Sequence, residues 1–183
     1  MYQNYANRCN FIDNHAGENG GAIFNVSVAN SNFEKNSAVN GGAMNHGLAA
    51  NCTFNNNSAT AYGGAICNGN VSSDTEFTNN SATTGKDTYN VTFYDRATGK
   101  TFTDLNDYIN GNSNSTIYLD ANYTFDLARD FDFINGVYLD RSRDIYGNGF
   151  TLDGSNLARI FTCSYYYGEN VYLYDMIFIN GYS

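Results

Sequence analysis

The sequence lacks proline and tryptophan altogether, and it has few positive charges. Only 9 Lys and Arg stand against 18 Asp and Glu, which gives a formal net charge of -9 and a pI of about 4.3. This negative balance repels phosphate backbones and anionic lipid head groups, so the composition disfavours binding to nucleic acid. No run approaches the roughly 18 consecutive apolar residues of a membrane span, and we expect no span in this chain.

A paired Cys-x-x-Cys motif and a Cys/His cluster are also missing, although the chain has four cysteines: Cys9, Cys52, Cys67 and Cys163. Zinc and redox motifs are therefore not indicated. We predict no metal, no cofactor and no catalytic residue. The sequence leaves the disulfide state of the cysteines open.

What the sequence does have is a sizeable apolar fraction and many turn-forming residues. Hydrophobic residues make up 42 % and aromatic residues 16 % of the 183 residues, which is sufficient for a packed core. The 18 glycines and the abundant asparagines favour tight turns in which φ is positive.

The chain repeats itself at a nearly constant interval. A Phe-x-x-Asn unit occurs four times, and the positions of its phenylalanines differ by 33−11 = 22, 54−33 = 21 and 77−54 = 23. A Gly-Gly-Ala unit follows each of the first three copies, and a degenerate fourth copy follows the last. The repeated positions are Phe11, Phe33, Phe54 and Phe77; Asn14, Asn36, Asn57 and Asn80; and Gly20–Ile23, Gly41–Met44, Gly63–Ile66 and Gly85–Thr88.

This period is too short for a helix pair or a propeller blade, so it leaves a leucine-rich arc or one turn of a β-helix. The repeat has no leucine ladder, and its short apolar runs are bounded by Gly, Asn and Ser, as strands are. We therefore predict an all-β fold, a right-handed parallel β-helix with coils of about 21–23 residues. Equivalent residues of successive coils should stack about 4.8 Å apart, which predicts a phenylalanine column and an asparagine ladder. Charged Lys86 and Asp87 in the fourth copy indicate the end of this array.

The second half has a different pattern. Phe102, Leu105 and Ile109 lie on one side of a short predicted helix near 102–109, which Thr103 should cap and which suits the open end of a solenoid. About three looser coils should follow. We expect two parts, 1–95 and 96–183, the second either separate from the first or continuous with it. The predicted strands of the second part are 117–119, 137–139, 150–152, 160–162 and 171–179.

The Phe-x-x-Asn and Gly-Gly-Ala motifs resemble the repeats of chlamydial polymorphic outer membrane proteins, which are β-helical adhesins. The chain also resembles the adhesin-like surface proteins of methanogenic archaea, because the likeness extends into the second half. The segments that carry it are Gly99–Ile109, Thr116–Asp120, Ile145–Gly154, Ala158–Phe161 and Phe178–Ser183.

The resemblance implies a non-catalytic adhesin-like protein on the outside of a microbial cell. In that family the capping helix and the first coils precede the Gly-Gly-Ala array, whereas here an array comes first. We therefore expect this chain to be a fragment of a longer secreted protein, whose signal peptide and anchor lie outside it.

Three sets of residues are candidates for a site. The cluster Asp140–Asp144, with Asp153 and Arg159, is the best case for catalysis, although solvated turns between strands and a surface ion pair explain it more simply. Eight Asn-x-Ser/Thr sequons offer glycosylation, of which we expect one or two turn sites at most. The run Tyr165, Tyr166 and Tyr167, together with Tyr172 and Tyr174, is a candidate glycan-contact platform, although half-buried strand or loop aromatics explain it as well.

The remaining candidates fit the repeat. His15 takes a position held by serine in later coils, and His46 one held by asparagine, so both are variants within polar columns. Cys9 and Cys52 lie two coils apart, about 9.6 Å, which is beyond disulfide reach.

The function that these observations favour is a cell-surface scaffold whose partners are glycans or proteins of other cells. The alternative is a carbohydrate-active β-helix enzyme, a polysaccharide lyase or glycoside hydrolase. A third hypothesis is end-to-end association through exposed coil edges.

Overall fold

The computed structural model describes residues 4–163 and 169–182. The chain forms two compact units, residues 1–96 and 97–183, where the sequence placed a boundary after residue 95. The predicted fold class is confirmed, because parallel strands stack as a β-solenoid and one short α-helix accompanies them. Among the described residues, no helix has the length and apolar character to cross a membrane.

Unit 1 is a β-helix whose strands all pair in parallel. One sheet has the order β1-β4-β8-β11-β7-β3 with β13 added to β11, the second has the order β2-β5-β9-β12, and the third pairs β6 with β10. The strands are β1 Asn4–Asn7, β2 Asn10–Ile12, β3 Ile23–Phe24, β4 Val26–Ala29, β5 Asn32–Glu34, β6 Ser37–Asn40, β7 Met44–Asn45, β8 Leu48–Ala50, β9 Thr53–Asn55, β10 Ser58–Tyr62, β11 Ile66–Ser72, β12 Glu76–Thr78 and β13 Thr88–Tyr94.

Left-handed residues make the corners between these strands. They recur one coil apart, with φ between 51° and 61°. Asparagine tolerates this conformation better than other residues that have a Cβ, which accounts for its abundance. The three corner columns are Arg8, Asn30 and Asn51; Asp13, Lys35, Asn56 and Asn79; and Asn25, His46, Asn68 and Asn90.

The core of unit 1 is built around a phenylalanine column. Phe11, Phe33, Phe54 and Phe77 are paired in register, and successive ring centroids lie 4.6, 4.5 and 5.4 Å apart with nearly parallel planes. Phe33 and Phe54 are completely buried. The column therefore stabilises neighbouring coils by apolar burial and by ring stacking, worth about 0.5–1.5 kcal/mol per pair.

An asparagine ladder runs beside the phenylalanine column. The amide of Asn36 donates to Asn57 Oδ1 at 3.0 Å, and that of Asn57 donates to Asn80 Oδ1 at the same distance. Asn57 Nδ2 also donates to the carbonyl of Phe33, so the buried amide is satisfied on both sides. The ladder continues from Asn80 to Asp87, whose carboxylate accepts at 3.0 Å. A half-buried carboxylate thus replaces the next asparagine where the sequence indicated the end of the array.

Unit 2 is a β-helix with longer coils. Its sheets have the orders β14-β17-β20, β15-β18-β21 and β16-β19. Thr116, Asp144 and Tyr172 are in register, and their positions differ by 144−116 = 28 and 172−144 = 28. The elements are α1 Phe102–Asn110, β14 Thr116–Tyr118, β15 Tyr123–Thr124, a 3-10 turn Phe131–Phe133, β16 Val137–Leu139, β17 Arg143–Tyr146, β18 Thr151–Asp153, β19 Phe161–Cys163, β20 Val171–Tyr174 and β21 Ile177–Ile179.

Two predictions about these strands need correction. The segment 171–179 is two strands, because Asp175 adopts a left-handed corner with φ 51° between them. Arg143 and Asp144 belong to β17, although the cluster they come from was interpreted as turns. Residues Asp140–Asp144 contain no apolar residue, so the strand could not be seen in the hydrophobic pattern.

The helix α1 buries Phe102, Leu105 and Ile109 as predicted, but Thr103 is not its N-cap. The cap is Thr101, whose backbone is extended and whose N–H donates to Asp104 Oδ2 at 2.7 Å. The buried carboxylate of Asp130 accepts from the backbone N–H groups of Phe102 at 3.0 Å and of Thr103 at 2.8 Å. Asp130 thus accepts hydrogen bonds from backbone N–H groups that the first helical turn leaves unpaired.

Replacing Phe54 by alanine should lower the free energy of unfolding by about 3–5 kcal/mol, because Phe54 is buried between two stacked rings. Phe11→Ala is the matched control, since Phe11 is only half-buried and stacks on one ring. We expect the control to cost less than half as much in urea unfolding followed by circular dichroism. Equal losses for the two variants would contradict a column buried in its middle.

Candidate functional site

Unit 2 displays a column of tyrosines on its outer surface. Tyr118, Tyr146 and Tyr174 occupy matching positions of β14, β17 and β20. Their ring centroids lie 4.9 and 4.5 Å apart, and the planes are within 19° and 14° of parallel. Tyr172 lies beside Tyr174, with the ring centroids 6.5 Å apart. We call these four residues the tyrosine face.

Strand alternation positions the tyrosine face. Ile117 and Ile145 are buried, so their chain neighbours Tyr118 and Tyr146 point outward. Tyr118 is 57 % and Tyr172 is 53 % exposed, which is high for large aromatic side chains in a sheet. The face is therefore an aromatic surface in contact with solvent.

The stacking decides which atoms a partner would meet. Because the rings of the column lie nearly face to face, it presents ring edges and phenol hydroxyls more than open ring faces. Desolvation in the stack raises the pKa of Tyr146 above its usual range, and the neighbouring phenols and the carboxylates of Asp144 and Asp175 raise it further. Tyrosine is protonated at neutral pH even without this shift, so the Tyr146 hydroxyl can donate a hydrogen bond there.

The predicted glycan-contact residues are only partly on this surface. Tyr172 and Tyr174 belong to the tyrosine face, whereas Tyr165, Tyr166 and Tyr167 lie outside the described residues. Sequence reasoning missed Tyr118 and Tyr146. Their signal was a recurrence at sequence intervals of 146−118 = 28 and 174−146 = 28, longer than the interval found in the first half.

The acidic and basic cluster has separate structural roles. Arg141 Nε donates to Asp140 Oδ1 at 2.9 Å on the surface, and this hydrogen bond lowers the pKa of Asp140 below its usual range. Arg143 is buried instead, and its guanidinium donates to the carbonyls of Asn112, at 2.9 Å, and Asn114. A general acid needs a raised pKa, so Asp140 is poorly suited to that role. Catalysis at this cluster stays a hypothesis.

The two histidines occupy the polar columns expected for them. His15 bridges to Ser37 on the next coil, and its Nδ1 lies 3.0 Å from Ser37 Oγ. His46 occupies the left-handed corner column with Asn25 and Asn68, and it contacts the side chain of Asn45.

All eight sequon asparagines are exposed: Asn25, Asn51, Asn56, Asn70, Asn79, Asn90, Asn114 and Asn122. None belongs to the buried asparagine ladder of Asn36, Asn57 and Asn80. Glycosylation at one or two of the turn sites stays a prediction.

The four cysteines are free, in line with the expected separation of Cys9 and Cys52. Cys52 is buried, and desolvation raises the pKa of its thiol to about 11. Desolvation also raises the pKa of Cys67. Cys163 is exposed at the end of β19.

We expect N-ethylmaleimide at pH 8 to modify Cys163 in the native protein and to leave Cys52 unmodified, because the thiolate is the nucleophile and Cys52 is both protonated and inaccessible. Peptide mass spectrometry after timed quenching measures both sites. In denaturant all four cysteines should react, which is the control. Comparable native rates at Cys52 and Cys163 would be inconsistent with the burial of Cys52.

The comparisons with known proteins bear on unit 1. The Chlamydia polymorphic membrane protein repeat matches residues 8–26 and 51–69. Each stretch contains one Phe-x-x-Asn unit and one Gly-Gly-Ala unit, so the match covers the motifs that form the column, the ladder and the corners. No curated protein and no solved structure matches the chain. The repeat and the β-solenoid together fit the scaffold of a surface protein.

Proposed function

We propose that this chain is part of a cell-surface adhesin-like protein that contacts glycans or proteins of other cells through the tyrosine face. The observation that carries the proposal is the exposed, ordered column of Tyr118, Tyr146 and Tyr174 on a β-helical scaffold. The similarity to the Chlamydia polymorphic membrane protein repeat supports an outer-surface location. The proposed relation to adhesin-like proteins of methanogenic archaea rests on the sequence resemblance alone.

The physics of recognition supports this role. Tyrosine supplies a large contact area with little loss of side-chain entropy, and it adds a hydroxyl that can donate and accept. Here stacking has already restricted the rings, so binding would order them little further. Asp144 and Asp175 flank the column in a chain of net charge -9, so the face suits a neutral or basic partner.

Replacing Tyr118 and Tyr174 together by serine should weaken binding of the full chain to at least one cell type or glycan at least roughly tenfold, because tyrosines that become buried on binding dominate many interfaces. Binding is measured on a panel of fluorescent microbial and host cells and on an immobilised glycan array. Tyr138→Ser is the matched control, since Tyr138 is exposed but lies on β16, in another sheet. The role of the tyrosine face would be refuted if the double variant bound every cell type and glycan as the original chain does, or if the original chain bound none of them.

End-to-end association is a second proposal about partners. The last described coil of unit 2 has the same spacing of inward residues as a coil of unit 1. Leu173 and Phe178 point inward and are five residues apart. Val28 and Phe33 of unit 1 have the same separation. Each coil also has a left-handed corner at the same place: Asp175 follows Leu173 by two residues, and Asn30 follows Val28 by two residues. Leu173 and Phe178 are half exposed, although their partners in the preceding coil are buried. A coil of the unit 1 type from a second copy would cover them.

In such a contact Arg8 of one copy would lie over Asp175 of the other, since both occupy the same corner position. We expect sedimentation velocity to show concentration-dependent association, weakened roughly tenfold by Arg8→Asp or by Asp175→Arg. Mixing the two variants should restore association, because each charge then meets its opposite. A monomer at all concentrations, or no recovery in the mixture, would rule out this contact.

A further inference from the structure

Unit 1 has a groove along its Gly-Gly corners, separate from the tyrosine face. One wall contains Asn19, Asn40 and Tyr62, which are paired in successive coils. The other wall follows β3, β7, β11 and the start of β13. We call it the corner groove. It has a volume of about 340 Å³ and is lined by Asn19, Phe24, Asn40, Asn45, His46, Tyr62, Cys67, Asn68 and Tyr89.

The glycines explain why successive coils can pack so closely at this corner. A Cβ on Gly41, which has φ +63°, would lie 2.0 Å from the carbonyl oxygen of Met44. A Cβ on Gly42 would lie 2.2 Å from the carbonyl oxygen of Gly64 on the next coil. Successive backbones therefore pack directly against one another. The groove lies beside this corner, and its lining includes the nearly buried side chains of Asn45 and Cys67.

The walls carry exposed aromatic rings. Phe24 is 56 % exposed, and Tyr62 and Tyr89 are 43 % and 40 % exposed. The Tyr62 and Tyr89 centroids are 4.6 Å apart with planes tilted by 34°, and Phe24 meets His46 edge to face at 64°. Unlike the rings of the tyrosine face, these rings are tilted or edge to face rather than parallel, so they do not form one continuous stack.

The polar lining consists of amides, phenols and an imidazole. Asn40 Nδ2 and Asn45 Nδ2 both donate to Asn19 Oδ1 at 3.1 Å, so hydrogen bonds hold the amides within one wall and link that wall to Asn45 of β7. None of the nine lining residues is Asp, Glu, Lys or Arg. The groove thus offers aromatic contact and neutral hydrogen-bonding groups, and it has no cation that would bind a carboxylate or phosphate.

We propose that the corner groove binds an uncharged oligosaccharide that lies along the coil stack. Aromatic rings cover the apolar faces of sugar rings, while amide and phenol groups pair with hydroxyl or acetamido groups. The groove extends from Phe24 in the first coil to Tyr89 in the fourth, three steps of about 4.8 Å, so it suits a short chain better than a single sugar. Acidic sugars are excluded, because the chain carries a net charge of -9 and no lining residue offsets it.

The full chain is titrated with three soluble trisaccharides, and binding is measured by isothermal titration calorimetry and by tyrosine fluorescence. Because the chain has no tryptophan, the tyrosine signal is not masked. The trisaccharides are a neutral glucose trimer, an N-acetylglucosamine trimer and a galacturonic acid trimer. We expect millimolar or tighter binding of at least one neutral trimer and at least roughly tenfold weaker binding of the acidic one. Whichever neutral trimer binds more tightly shows whether the groove prefers hydroxyl or acetamido groups.

Phe24→Ala and Tyr62→Ala should each weaken binding of the neutral trimer at least roughly tenfold, as expected when an aromatic platform is removed. Phe93→Ala is the matched control, because Phe93 is also 56 % exposed in unit 1 but lies outside the groove lining. All three side chains are exposed, so the urea midpoint should stay unchanged.

The Tyr118→Ser, Tyr174→Ser double variant should bind the trimer normally, which separates this site from the tyrosine face. The proposal is overturned if no neutral trimer binds, if the acidic trimer binds best, or if Phe24→Ala and Tyr62→Ala bind as the control does.

Discussion

Parallel hydrogen bonding between one coil and the next is the constraint on which the rest of this structure depends. It places Phe33 over Phe11 and Asn57 over Asn36, so each residue must be compatible with its own counterpart on the neighbouring coil. Rings can stack and amides can pair in this way, whereas like charges in a buried column could not. A chain without proline suits this arrangement, because every residue after the first retains an N–H group for the neighbouring coil.

The residues that sequence reasoning located correctly are those whose environment repeats. Phe54 and Asn57 recur at nearly constant intervals, and the apolar side of α1 recurs within the helix. It missed the tyrosine column, whose interval is longer, and it missed polar contacts between unlike residues that no repeated motif marks. Asp130 pairs with the start of a helix much earlier in the chain, and Arg143 reaches backward to the carbonyl of Asn114. Long-range polar contacts of this kind leave no periodic signal.

The two aromatic surfaces show that ring geometry matters more than aromatic content. In unit 2, successive coils of equal length bring Tyr118, Tyr146 and Tyr174 into one parallel stack that presents edges and hydroxyls. In unit 1, the walls of the corner groove hold rings at 34° and 64°, and amides occupy the space between them. The first arrangement suits a broad, flat partner. The second suits a narrow chain that can enter a channel.

The Gly-Gly corners also bear on how such a gene can change. Because each coil contacts only the coils above and below it, duplication of one whole coil would lengthen the array and extend the channel with the same chemistry. Insertion of a single residue would instead reverse the inward and outward positions along a strand and move Gly42 away from the backbone it must approach. Length variation among relatives of this chain should therefore occur in steps of a complete turn of the solenoid.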